Sequence, residues 1–144
     1  MINHDTIELL KECNAGIKMG VNSIDEVLDK VQDEKLKKIL ISSKEAHQAL
    51  GSETHQLLNK CDECGKEPNP MAKGMSWLKT NVMLAMEKTD STIADLITDG
   101  CDMGTKTLNK YLNDYESASE EAKSIAKRLI KIEDDLAADI RCFL

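Results

Sequence analysis

Four separate stretches of this sequence place apolar residues three or four positions apart, and that spacing leaves few folds open. An α-helix turns once per 3.6 residues, so such a run draws one apolar stripe down one side of a helix. The first run is Ile7, Leu10, Asn14, Ile17, Val21, Ile24, Leu28 and Val31. The second is Leu36, Ile39, Ser43, Ala46, Leu50, Glu53 and Leu57. The third is Ile93, Ile97, Gly100, Gly104, Leu108, Tyr111 and Tyr115, and the fourth is Ala122, Ile125, Leu129, Ile132, Leu136, Ile140 and Phe143. No stretch alternates with period two, so no sheet is expected. Four one-sided helices can shield their stripes only by facing one another, which predicts an all-α, antiparallel four-helix bundle. Aromatics are 3% of the residues, so the core must be aliphatic.

A chain of 144 residues is the size of one domain and can bury an adequate core without a disulfide or metal. The only prolines, Pro68 and Pro70, sit with Gly65 in a stretch that cannot continue a helix. Asp33 is the expected cap of the second helix, and a bundle requires a turn before it although nothing forbids one continuous helix across 30–35. Asp90 or Ser91 is expected to cap the third helix, and Ser117 with Glu120 to form a capping box for the fourth.

The two halves are related. Gly16-Ile17-Lys18-Met19-Gly20 recurs 84 positions later as Gly100-Cys101-Asp102-Met103-Gly104 (100 − 16 = 84). The partner helices align at an offset of 86 (125 − 39 = 86), Ile39 on Ile125, Ala46 on Ile132 and Leu50 on Leu136. The expected organisation is two pseudo-repeated helical hairpins, 4–63 and 91–143, joined by a loop and extra helix over 64–88. Residues 71–88 carry Met75, Leu78, Val82 and Ala85 on one face, and eighteen helical residues reach about 27 Å. That segment either crosses the length of the bundle, as in ferritin-like folds, or extends the next helix.

Trp77-Leu78-Lys79, then Ala94-Asp95-Leu96-Ile97-Thr98-Asp99-Gly100, then Leu108-Asn109-Lys110-Tyr111-Leu112, resemble a group of uncharacterised bacterial proteins classed as ferritin-like four-helix bundles of unknown function. The likeness spans residues 65–143. It implies a ferritin-like bundle and no activity, because the group has none assigned.

A net charge of −7 argues against nucleic acid and against anionic membrane surfaces. No apolar run reaches the roughly 20 residues that span a bilayer. The polar start at Met1–Asp5 lacks a basic-then-apolar leader, and five scattered cysteines read as reduced thiols, so a cytoplasmic protein is expected.

A di-iron bundle needs two Glu-x-x-His pairs, and no Glu here is followed by His three residues on. His47 borders the apolar face of its helix and maps under the repeat onto Glu133, so a pseudo-twofold axis brings the two toward one mid-bundle layer. As a metal site that pair is short of ligands; the plainer reading is a hydrogen-bonded histidine at the core margin. Cys61-Asp62-Glu63-Cys64-Gly65 resembles half of a zinc knuckle, which needs further ligands such as Cys142 or His4. Otherwise it is a surface loop, and a redox role is weaker still because the pair ends a helix. The metal candidates are therefore Cys61, Cys64, His47 and Glu133, with no catalytic residue and no predicted cofactor beyond a metal ion.

Each interior glycine costs about 1 kcal/mol relative to alanine. Four of them, paired by the repeat, call for a compensation. Close approach of the two related helices is one, and a ligand in the space they leave is the other. Met71, Met75, Met83, Met86 and Trp77 read as core filling or as an interface with a second copy or protein partner. The expected function is a non-enzymatic structural or protein-interaction module, as a homo-oligomer or with a protein partner, with a ferritin-like metal-binding bundle lacking a full di-iron site as the alternative.

Overall fold

The computed structural model describes residues 3–61 and 89–144. Among them are four α-helices and no strand: α1 (His4–Leu28), α2 (Glu34–Lys60), α3 (Asp90–Asp114) and α4 (Glu120–Asp139), followed by a 3₁₀ turn at Arg141–Phe143. The expectations for the 64–88 connection, Trp77 and the methionine face lie outside the described residues.

Two aliphatic clusters fill the interior. The first joins Leu9, Leu10 and Cys13 of α1, Leu58 of α2, Leu108 of α3, and Ala122 and Ile125 of α4. The second joins Ile24 and Val27, Leu36 and Leu40, Ile93 and Ile97, and Leu136 and Ile140. The end of α2 at Cys61 packs on the first cluster, whereas α3 enters beside the second.

The helix ends carry the two-fold relationship in their hydrogen bonds. Asp33 caps α2 by accepting from the Lys35 and Leu36 amides, and Ser119 caps α4 by accepting from the Ala122 amide. These caps are 86 positions apart (119 − 33 = 86). The Asp33 amide donates to the Asp90 carboxylate at 2.9 Å, and the Ser119 amide donates to the Thr6 hydroxyl at 2.8 Å. Asp90 and Thr6 are 84 apart (90 − 6 = 84). Each hairpin's turn is thus clasped by the first turn of the other hairpin's leading helix. Asp90 therefore serves the α1–α2 turn, and the cap of α3 is Thr89, which accepts from the Thr92 amide. The cap of α4 is Ser119 rather than Ser117, because Ser117 is held from outside: its amide donates to Asp5 and its carbonyl accepts from Asn3.

On α2, Leu36 and Leu50 are buried as the apolar spacing predicts, and at four other places burial falls one position later. The buried line is Leu36, Leu40, His47, Leu50, Thr54 and Leu58, while Ala46 and Glu53 are exposed. In α4, Glu133 is buried and Ile132 only half-buried. The shift is tolerated because the polar members are satisfied locally: the Thr54 hydroxyl donates to the Leu50 carbonyl at 2.8 Å.

Candidate functional site

The repeat places a glycine on each leading helix opposite a polar residue of its hairpin partner. An added Cβ at Gly20 of α1 would lie 2.6 Å from Cδ2 and Nε2 of His47 on α2, so the imidazole rests where a side chain would otherwise stand. An added Cβ at Gly104 of α3 would meet the Glu133 carboxylate of α4 at 3.5 Å. His47 and Glu133 meet across the interior, Nε2 to Oε1, at 3.1 Å. His47 is only 1% exposed, so it is a core residue and not a margin residue.

The other imidazole nitrogen fixes the protonation. Nδ1 lies 2.8 Å from the Ser43 carbonyl, which can only accept, so Nδ1 carries a hydrogen. Nε2 then faces a carboxylate, and one proton must lie between them. Burial on its own lowers the His47 pKa, but the Glu133 hydrogen bond and charge, with the Ser43 carbonyl, outweigh it and raise the value above the usual 6.5. The pair is a buried imidazolium–carboxylate bridge.

This arrangement bears on the metal candidates. His47 has both ring nitrogens engaged, which leaves no lone pair for a cation unless the bridge to Glu133 is broken. Cys61 sits at the end of α2 and its thiol donates to the Leu57 carbonyl at 3.2 Å; Cys64 lies outside the described residues. Cys142 is in the 3₁₀ turn beside the second cluster, at the other end from Cys61, so the two do not meet. Among the described residues no three His, Cys, Asp or Glu side chains converge on a point that would hold a metal ion.

Above the pair, between α1 and α3, runs a cavity of about 220 Å³. All four repeated glycines (Gly16, Gly20, Gly100 and Gly104) line it. Among the described residues an added Cβ at Gly100 would meet nothing within 4 Å, and at Gly20 and Gly104 the nearest atoms belong to side chains. Gly20, Gly100 and Gly104 therefore do not serve close backbone contact between α1 and α3; they make room for His47 and open a space. Its wall extends on α1 from Glu12 to Ile24, about 18 Å at 1.5 Å per residue, so the space is a narrow slot. Ile24, Leu96, Ile97 and Leu108 give it an apolar lining. Met103, 41% exposed, stands at its rim.

Cys101 and Glu12 also line the slot. Cys101 lies beside Glu133, and burial followed by that carboxylate's charge and hydrogen bond pushes its thiol pKa up. This is the reverse of what an activated nucleophile requires. Glu12 of α1 hydrogen-bonds Tyr111 of α3, and burial raises its carboxyl pKa despite that bond. Its Oε2 is buried and finds no hydrogen-bond partner among the described residues. Glu12 escapes a sequence reading because it flanks the apolar stripe of α1 without belonging to it.

No family model matches the chain, and no curated protein matches it. Among solved structures it is similar to a DUF305 fragment from Deinococcus radiodurans, with a TM-score of 0.76 at 9% identity over 98% of this chain and 95% of that one. At that identity the likeness speaks for the fold alone: the chain has the all-helical architecture of a domain of unknown function. Among the described residues no helix is long and apolar enough to cross a membrane.

Proposed function

We propose that this chain is a non-enzymatic binding module, an antiparallel, ferritin-like bundle whose α1–α3 slot takes a small apolar molecule. The observation that carries this reading is the slot itself, walled by four glycines that each destabilise a helix. Stability alone would favour alanine at Gly100, where a methyl group meets open space. A dry cavity of about 150 Å³ is enough to bind benzene, and this one is larger, at about 220 Å³. The non-enzymatic part is supported by chemistry: the imidazole and its carboxylate neutralise one another, and the adjacent thiol is held protonated.

The ferritin-like topology is supported by the positions of Cys61, which packs on the first cluster, and of Thr89, which precedes a helix that enters beside the second. A cytoplasmic location agrees with the free thiols of Cys13, Cys101 and Cys142. Association through residues 71–88 belongs to the same non-enzymatic reading, and light scattering on wild type and Trp77→Ala addresses it.

The direct experiment is thermal denaturation with 1-octanol, a neutral apolar probe. A ligand that binds only the folded state raises the midpoint with concentration. The expected result is a rise in wild type and none in Gly100→Leu, whose side chain fills the slot. An equal rise in both proteins, or none in either, would refute the slot as a binding site.

A further inference from the structure

We propose that the molecule this slot accepts is a linear alkyl amine, with its protonated nitrogen received by Glu12 and its chain laid along the glycine wall. This rests on the slot being a ligand site, and it adds the chemical class.

Shape selects the chain. A space of about 220 Å³ drawn out beside thirteen residues of helix is too thin for a fused ring and suits an unbranched alkyl group. Glycine on both walls permits close contact along its length, and the aliphatic side chains beyond them supply an apolar surface.

Charge selects the head. Among the described residues that line the slot there is no lysine or arginine. Its one cationic group, His47, is committed to Glu133 at 3.1 Å. Glu12 is left as the uncompensated carboxylate, held by Tyr111 and with Oε2 buried without a partner. A buried carboxylate oxygen lacking a donor is costly, and a charge-assisted hydrogen bond from an ammonium group removes that cost. An alcohol head satisfies it in part. A carboxylate head is repelled. The overall charge of −7 favours arrival of the same sign of ligand.

The test is isothermal titration of the full chain with n-octylamine, 1-octanol and octanoate, which share a chain and differ at the head, below their micellar concentrations. In wild type the amine should bind about tenfold tighter than the alcohol, and octanoate weakest. Glu12→Gln keeps the shape of the side chain and removes its charge, and should bring the amine down to the level of the alcohol. Tyr111→Phe, which removes the hydroxyl that holds Glu12, should weaken amine binding alone and serves if Glu12→Gln does not fold. Equal affinity for amine and alcohol in wild type overturns the amine assignment and leaves the slot reading standing. An amine preference that survives Glu12→Gln also overturns it, since general attraction to an acidic surface is then the cause. No binding of any of the three overturns both.

Discussion

His47 and Glu133 hold each other at 3.1 Å from equivalent places in the two halves of the molecule, 86 positions apart, each seated against a glycine of its own hairpin. Equivalent places have thus been given opposite charges, and the pair closes the interior where α2 meets α4. Removing one partner of a buried bridge leaves the other charged and unpaired, which typically costs 3–5 kcal/mol. Glu133→Ala is expected to lose about 3 kcal/mol in urea denaturation, since Glu133 keeps a little solvent contact. The double variant His47→Leu/Glu133→Leu should recover most of that loss, because two apolar groups leave nothing unsatisfied. A double variant no more stable than Glu133→Ala would mean that the bridge is not the source of the loss.

The same bridge sets a pH dependence. The folded chain holds the His47 proton more tightly than the unfolded chain, whose imidazole titrates near 6.5. The stabilisation is therefore complete below 6.5 and is lost as the pH climbs through the higher, folded value. Cys101 and Tyr111 also face this region, but burial pushes the Cys101 thiol far up and the Tyr111 phenol up to about 12, so neither contributes in that window. Melting temperature in wild type should fall between pH 6.5 and pH 9, and His47→Gln should be less stable but flat over that range. A parallel fall in His47→Gln would assign the dependence to another group.

The glycines separate into two kinds, although the sequence repeats them as equals. Gly20→Ala puts a methyl group 2.6 Å from the buried imidazole, which is packed and cannot give way, so the gain in helix propensity is overcome. A net loss of about 1–2 kcal/mol is expected. Gly100→Ala adds a methyl group to open space and should gain up to about 1 kcal/mol. Denaturant midpoints of the two variants should move in opposite directions. Equal destabilisation would show that α1 and α3 approach more closely than the slot allows.

The helical class, the Asp33 cap and the pairing of His47 with Glu133 were legible in the sequence because each depends on spacing along one helix or on the repeat between halves. The depth of His47 was not. Apolar spacing marks Ala46 and Glu53 as interior, whereas the molecule buries the neighbouring line and satisfies Thr54 and His47 through carbonyls one turn earlier. Binary pattern cannot see such local satisfaction. The role of the glycines stayed open between two alternatives for a related reason. A Gly-x-x-x-Gly run reports that side chains are absent from a helix face, and only the facing helix decides whether backbone, imidazole or a slot takes the room. Glu12 left no periodic signal at all, since it becomes notable only when α3 brings Tyr111 beside it.

The reciprocal clasp at the two ends yields the last expectation. Asp90 accepts two amides from the α1–α2 turn, those of Gln32 and Asp33, each at 2.9 Å, while Thr6 accepts one from Ser119 at 2.8 Å. Both sites tie the start of one hairpin to the turn of the other, so each closes a long loop of chain. Asp90 is partly exposed, and its freed amides can turn to water; Thr6 is only 4% exposed, and the Ser119 amide is more confined. Asp90→Ala should therefore cost about 1 kcal/mol despite losing two bonds, and Thr6→Val, which keeps the shape and removes the acceptor, about 1–2 kcal/mol. Because the two sites lie at opposite ends and share no partner, their losses should add in the double variant. Hydrogen exchange would read the same clasp locally: Asp90→Ala should speed exchange at Gln32 and Asp33 and leave Ser119 unchanged, and acceleration at both ends would show that the clasps act as one unit.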